Sequence, residues 1–349
     1  MKTLFGTLAL FFFTINAFAS SDVIGFRALT LTDSKNERPL ELVIWYPSFS
    51  SAQPQLIADT PVFVGVLAAP NAAPASGPHP LVVLSHGFRG NWGNLSWLAS
   101  ALAHQGYIVA AVNHPGTTTH NRNPEAAEQL WQRPVDLQRA IDSVLSQPEH
   151  VGLVASSKIA VVGHSLGGWT ALEIAGARFD PDLFSEDCRA HSDLASCSVY
   201  KQTNPNMTAT MKASLAADMR DRRIAAVVSL DLGLSRGLTS ESLAALQVPT
   251  LVIAAGEPSK DLPARLESAD LASRLPPELS RYVEVSDANH FSFISVCKPG
   301  ALALLAEEGP EEDIICRDGK SARPRTAIQH QVISLISGFL TQSFRDDKN

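Results

Sequence analysis

Ile159-Ala160-Val161-Val162-Gly163-His164-Ser165-Leu166-Gly167-Gly168 is the stretch that decides how this chain reads. A short apolar run is followed by Gly-x-Ser-x-Gly. A segment of helical character, Trp169-Thr170-Ala171-Leu172-Glu173-Ile174-Ala175, comes next. Strand, sharp turn and helix in that order put Ser165 at the tip of a tight bend, where a serine hydroxyl is exposed to react. Glycines two before and two after it let strand and helix approach closely. The pentapeptide alone is weak, and its flanks carry the inference.

Working outward, apolar runs of four to seven residues alternate with helical segments. Expected strands are Ile24–Leu31, Leu40–Tyr46, Leu81–Leu84, Tyr107–Val112, Ile159–Val162, Ile224–Leu230, Val248–Ala254 and Arg281–Val285. Expected helices are Leu95–Gln105, Pro134–Leu145 (opened by a proline), the segment after Ser165, Ser240–Leu246, Leu262–Leu275 and Ala327–Phe344. Ser48–Pro80 reads mostly as connection. The alternation predicts an α/β fold, a mostly parallel sheet with helices on both faces.

One stretch breaks the rhythm. About 45 residues separate the helix after Ser165 from the strand at Ile224, a length that is unusual for a connection with no task. It holds Cys188, Cys197 and a candidate helix, Met207–Asp221. It reads as an insert at about 179–221 that caps the site, within one domain over 20–349.

The chain has 349 residues, 45% hydrophobic, with a net charge of -7 and no basic cluster. That charge argues against nucleic acid as a partner. Lys2, the apolar block Leu4–Phe13 and the small-x-small Ala17-Phe18-Ala19 read as a signal peptide over 1–19, cut before Ser20. The expectation is a periplasmic or secreted protein without a stable membrane anchor, the apolar block being too short to span a bilayer. Export gives the four cysteines a role. Local pairing, Cys188 with Cys197 and Cys297 with Cys316, would staple two loop regions in an oxidising compartment. No Cys-x-x-Cys spacing suggests zinc.

A serine hydroxyl needs a base, and the base needs an acid to hold its tautomer. With the serine on a strand-to-helix turn of such a sheet, the order along the chain is serine, acid, histidine. That order reduces ten histidines to His191, His290 and His330. His191 lies in the insert with no strand before it, and His330 lies in the terminal helix. His290 follows the last strand, in Ser286-Asp287-Ala288-Asn289-His290-Phe291, on a loop at the carboxyl edge of the sheet. It is the expected base. For the acid, Asp231 comes directly off Val227-Val228-Ser229-Leu230 and is favoured. Asp261 and Glu257, after the following strand, remain open. The oxyanion of an acyl-transfer intermediate needs two backbone N–H donors. Leu166, next to the serine, is one candidate. Phe88, in Ser85-His86-Gly87-Phe88-Arg89-Gly90, is the other. His86 precedes the serine and reads as structural.

Ser85-His86-Gly87-Phe88, Gly163–Gly168, Leu230-Asp231 and Asn289-His290-Phe291-Ser292-Phe293 together resemble the α/β-hydrolase superfamily. The likeness runs from about Leu40 to Phe344, outside the leader and the insert. The similar branches are exported dienelactone-hydrolase-like proteins and platelet-activating-factor acetylhydrolases, with cutinase-type polyester hydrolases alike in the same segments. Dienelactone hydrolases carry cysteine where this chain has Ser165. The acetylhydrolase branch carries its acid where this chain has Asp231; the polyester branch carries it one strand later, where this chain reads Glu257-Pro258-Ser259. The resemblance implies a serine-dependent carboxylic ester hydrolase that takes small-molecule or lipid esters and uses no metal or organic cofactor. The same triad serves an acyltransferase, and a retired scaffold serves a binding protein.

Overall fold

The computed structural model describes residues 23–32, 37–309, 312–319 and 321–345. The expected leader, 1–19, lies outside them.

Two strands open the chain, β1 (Val23–Leu31) and β2 (Leu40–Ser48), followed by β3 (Gln55–Ile57), β4 (Val66–Pro70) and β5 (Pro78–Ser85). Helix α1 (Ser96–His104) leads to β6 (Ile108–Asn113), and α2 (Pro124–Ala127), α3 (Gln132–Ser146) and α4 (Pro148–Val151) lead to β7 (Leu153–His164). Helix α5 (Leu166–Ala175) starts one residue after Ser165. The insert folds as α6 (Pro181–Ala190), α7 (Ala195–Thr203) and α8 (Ala209–Leu215). Then come β8 (Ile224–Leu230), α9 (Ser240–Ala244), β9 (Thr250–Ala255), α10 (Ser268–Arg274), β10 (Ser280–Val285), α11 (Ala301–Glu308) and α12 (Arg325–Ser343).

The strands form one ten-stranded sheet in the order β10-β9-β8-β7-β5-β6-β2-β1-β4-β3. From β6 to β10 every neighbouring pair is parallel, while β1–β2, β2–β6 and β3–β4 are antiparallel. Side chains on a strand point to alternate faces, and β5 shows what that does. Leu81 and Val83 join the core beneath α3, α5 and the insert, whereas Val82 and Leu84 join the core beneath α1 and α12. A strand buried on both faces has no polar position to alternate with, which is why its sequence is continuously apolar.

Two expectations are corrected. Ser48–Pro80 is not mere connection, because it carries β3 and β4. Strand β4 pairs in parallel with β1 over only Gly25–Ala69 and Phe26–Pro70, too short a run to impose a period on the sequence. The expected helix Leu262–Leu275 is a 3-10 turn, Ala264–Leu266, then α10. Glu267 interrupts it at φ -121°, ψ -91°, and its buried carboxylate accepts hydrogen bonds from Ser235 and Arg236. That tertiary pairing outweighs the local helical preference.

The insert is part of the core rather than an excursion from it. Phe179, Phe184 and Tyr200 pack edge-on or tilted against one another, and Phe179 stacks T-shaped on Trp169 of α5 at 5.7 Å between ring centres. Cys188–Cys197 and Cys297–Cys316 form two disulfides in the expected local pairing.

Candidate active site

Ser165 sits between the end of β7 and the first turn of α5, with φ 56° and ψ -123°. This is a strained conformation for a residue bearing a Cβ. Its surroundings hold it there. The Ser165 N–H donates to Leu230 O on β8, and the Gly168 N–H donates to Ser165 O. A Cβ on Gly163 would run into the Gly167 carbonyl, and one on Gly167 would run into the Ser85 carbonyl. Both flanking glycines are therefore sterically required.

Asp231 follows β8 directly and is 3% exposed. Its N–H donates to Ile253 O, and its Oδ1 accepts from the Ala255 N–H at 2.9 Å, so β9 fixes the carboxylate. The remaining oxygen, Oδ2, lies 2.7 Å from Nδ1 of His290. His290 opens a 3-10 turn, His290–Phe293, whose start Asn289 caps by accepting from the Phe291 and Ser292 N–H groups. Ser165, Asp231 and His290 line one cavity of about 580 Å³ at the carboxyl edge of the sheet, together with Phe88 and Leu166. Glu257 and Asp261 line it too, yet neither hydrogen-bonds His290 among the described residues. His191 ends α6 in the insert, and His330 is exposed on α12.

The Phe88 and Leu166 N–H groups have no hydrogen-bond partner among the described residues. Leu166 is the first residue of α5, where the helix leaves its amides unpaired. Gly87 abuts the serine so closely that a Cβ there would sit 3.0 Å from Ser165 Cβ.

Sequence reasoning gave His164 no role. The structure buries it, with Nε2 2.9 Å from the His290 carbonyl and its ring 4.6 Å from the His290 ring. Burial, and then the neighbouring His290, hold its pKa well below the ordinary histidine value. His164 is therefore neutral, and its Nε2–H donates to the His290 backbone across the strand. The motif leaves this position variable, and only the fold brings His164 against the loop that carries His290.

The far wall of the cavity comes from the insert and the loops around it. Ala195, Ser196 and Val199 of α7 line it together with Leu234, Leu262, Phe291 and Ile314. Asp187, Cys188 and Cys197 cluster closely enough to suggest metal ligation. Both cysteines are spent in the disulfide, so no thiolate is available there.

A sheet that delivers serine, acid and histidine in that order from the carboxyl ends of its parallel strands, here β7, β8 and β10, has the architecture of an α/β-hydrolase. The chain belongs to the alpha/beta hydrolase family, whose sequence model matches residues 82–303. Over 104 residues it is 30% identical to cutinase est2 of Thermobifida alba, covering 29% of this chain and 31% of that protein. A bis(hydroxyethyl) terephthalate hydrolase of Streptomyces coelicolor is also 30% identical over 104 residues, covering 30% of this chain and 31% of its own length. The chain thus matches about a third of these curated relatives. A ferulic acid esterase from Streptomyces cinnamoneus superposes with a TM-score of 0.62 at 22% identity, over 94% of this chain and 92% of that one, and shares the fold.

Proposed function

We propose that this chain hydrolyses carboxylic esters by a serine-dependent, acyl-enzyme mechanism outside the cytoplasm. The observation that carries the reading is the 2.7 Å contact between His290 Nδ1 and Asp231 Oδ2 in the cavity that holds the strained Ser165.

A carboxylate accepting from Nδ1–H leaves Nε2 of His290 as the free base. Nε2 takes the Ser165 proton as Oγ attacks the ester carbonyl, then returns it to the departing alcohol. Asp231 stabilises the transient imidazolium. The unpaired Phe88 and Leu166 N–H groups receive the negative oxygen of the tetrahedral intermediate; one such donor is worth roughly 3–4 kcal/mol in the transition state. Water repeats the cycle on the acyl-enzyme. The apolar wall from Val199 to Ile314 suits an acyl or alcohol group of modest size.

The cutinase and hydrolase relatives support an ester as substrate. The two disulfides and the leader-like start support an extracytoplasmic location. No helix among the described residues is long and apolar enough to cross a membrane.

The test is Ser165→Ala in protein shown to be folded. Hydrolysis of p-nitrophenyl acetate should fall by about 10⁶-fold, as loss of the nucleophile does in a serine triad. A fluorophosphonate probe should label the wild type and leave the variant unlabelled. Activity above a tenth of wild type removes Ser165 as nucleophile.

A further inference from the structure

Arg133 on α3 is a cation 1% exposed to solvent, 32 residues before the serine, and the ester-hydrolysis scheme above gives it no part. Its guanidinium makes four hydrogen bonds, each to an element that frames the oxyanion site. Nη2 donates to the His86 carbonyl at 2.5 Å and to Ser85 Oγ at 3.3 Å. Nη1 donates to Thr117 Oγ1 at 2.6 Å, and the Thr117 carbonyl accepts the N–H of Arg89. Nε donates to Thr170 Oγ1 at 2.9 Å, and that hydroxyl donates to the carbonyl of Leu166. One planar fork therefore grips the chain on both sides of Phe88 and, through Thr170, the residue that carries the other donor.

The direction of the Phe88 N–H follows from the same cluster. His86 Nε2 accepts the His114 N–H, so the His86 proton sits on Nδ1 and is donated to the Gly87 carbonyl at 2.7 Å. In a trans peptide the N–H points opposite to the C=O. Fixing the Gly87 carbonyl toward the buried His86 ring fixes the Phe88 N–H away from it. His86 in turn is held by its own carbonyl on Arg133.

The charge is arranged unusually as well. Among the described residues no carboxylate lies within ion-pair distance of Arg133. The nearby buried acid, Asp136, is engaged by Arg38 through both oxygens, at 2.9 and 2.7 Å, and by His114 Nδ1 at 3.0 Å. Arg133 reaches Asp136 only through Ser85 Oγ and the His114 ring. A buried guanidinium without a contacting anion is costly, and the carbonyl it holds, that of His86, lies two residues before Phe88.

We propose that Arg133 is the positioning residue of the oxyanion hole, orienting the Phe88 N–H, bracing the backbone of the residue that carries the other donor, and holding a positive charge with no contacting carboxylate behind them. The inference rests on the ester-hydrolase reading. It acts on the transition state and not on substrate binding, because the guanidinium does not line the cavity.

The test uses full-length protein, Arg133→Lys and Thr170→Val, with Ser165→Ala as control. Competent sites are counted with a fluorophosphonate, and kcat, KM and the Ki of a trifluoromethyl ketone are measured. Each positioning variant should lose about 10- to 100-fold in kcat per titrated site, a fraction of what deleting a donor outright costs. KM should change by less than about threefold, and Ki should rise in parallel with the loss of kcat. Lysine keeps the charge and loses the fork, so when Arg133→Met is measured beside it, Arg133→Lys should retain the higher activity. Should Arg133→Lys fail to fold, Thr170→Val, which removes one hydroxyl, decides. A kcat per titrated site within about twofold of wild type, or a loss matched wholly by fewer titratable sites, overturns the proposal. Full activity in Ser165→Ala instead overturns the hydrolase reading beneath it.

Discussion

Oδ2 of Asp231 lies 2.7 Å from Nδ1 of His290, a residue 59 positions further along the chain. The contact joins the end of β8 to the loop after β10, with β9 between them. The Asp231 backbone also has a positive φ of 44°, so the aspartate turns sharply off its strand to make it.

That geometry separates Asp231 from its rivals. Asp231→Asn should leave a folded protein with kcat down by about 10⁴-fold, because an amide in that place favours the wrong tautomer of His290. Glu257→Gln and Asp261→Asn should stay within about threefold of wild type on p-nitrophenyl acetate. The reverse ranking in steady-state kinetics would move the acid one strand later.

Glu173, on the helix that follows the serine, is 1% exposed and its Oε1 has no hydrogen-bond partner among the described residues. Burial drives its pKa well above 4.5, more strongly than nearby Arg178 lowers it. A carboxyl whose folded pKa is raised binds its proton more tightly in the native state. Its protonation therefore favours folding, and that advantage is lost as pH climbs from the unfolded value of about 4.3 toward the raised native one. Glu173→Met, of similar volume and without the orphaned Oε1, should raise the Tm, and by more at pH 8 than at pH 5. Thermal melts at the two pH values check this; equal shifts would show that Glu173 ionises freely.

The Cys297–Cys316 disulfide closes a loop with a sequence separation of 19 just after His290. Just past that loop the Arg317 carbonyl accepts from Asn289 Nδ2 at 2.6 Å, and within it Ile314 contributes to the cavity wall. The double variant Cys297→Ser/Cys316→Ser should lose about 3 kcal/mol in denaturant unfolding, the entropy of a loop of that size. Thiol titration of the denatured wild type should find no free cysteine.

Val199 of α7 stands in the cavity wall. Val199→Trp should fill that side. Turnover of p-nitrophenyl acetate should hold within about threefold while hydrolysis of the octanoate falls at least tenfold. An unaltered chain-length profile in the folded variant would take α7 out of substrate selection. Deleting the insert is a poorer probe, since Phe179, Phe184 and Tyr200 belong to the core under α5.

The sheet was legible wherever burial on both faces forced an apolar run, as in Ile224–Leu230, whose strand has those same limits. The serine turn was legible because steric limits leave glycine little choice at 163 and 167. The meeting of Asp231 with His290 was suggested by chain order and strand ends alone. Arg133 could not have been found in this way. In sequence it is one more arginine at the start of an amphipathic helix, and its importance comes from Ser85, Thr117 and Thr170, which only the folded chain brings to it. Glu267 was hidden for a related reason: its pairing with Arg236 breaks a helix that local propensity would have continued.

The anchoring of α7 bears on how substrate arrives. Its Cys197 is bonded to Cys188 of α6, and Arg236 ties Asp187 of α6 to Glu267 of the sheet-side loop at 2.6 and 2.8 Å. A wall tied in this way through α6 to Arg236 and Glu267 does not swing aside as a hinged flap does when it meets an oil droplet. Catalysis by this protein should therefore rise smoothly through the critical micelle concentration of its ester, with no jump at the point where an interface first appears.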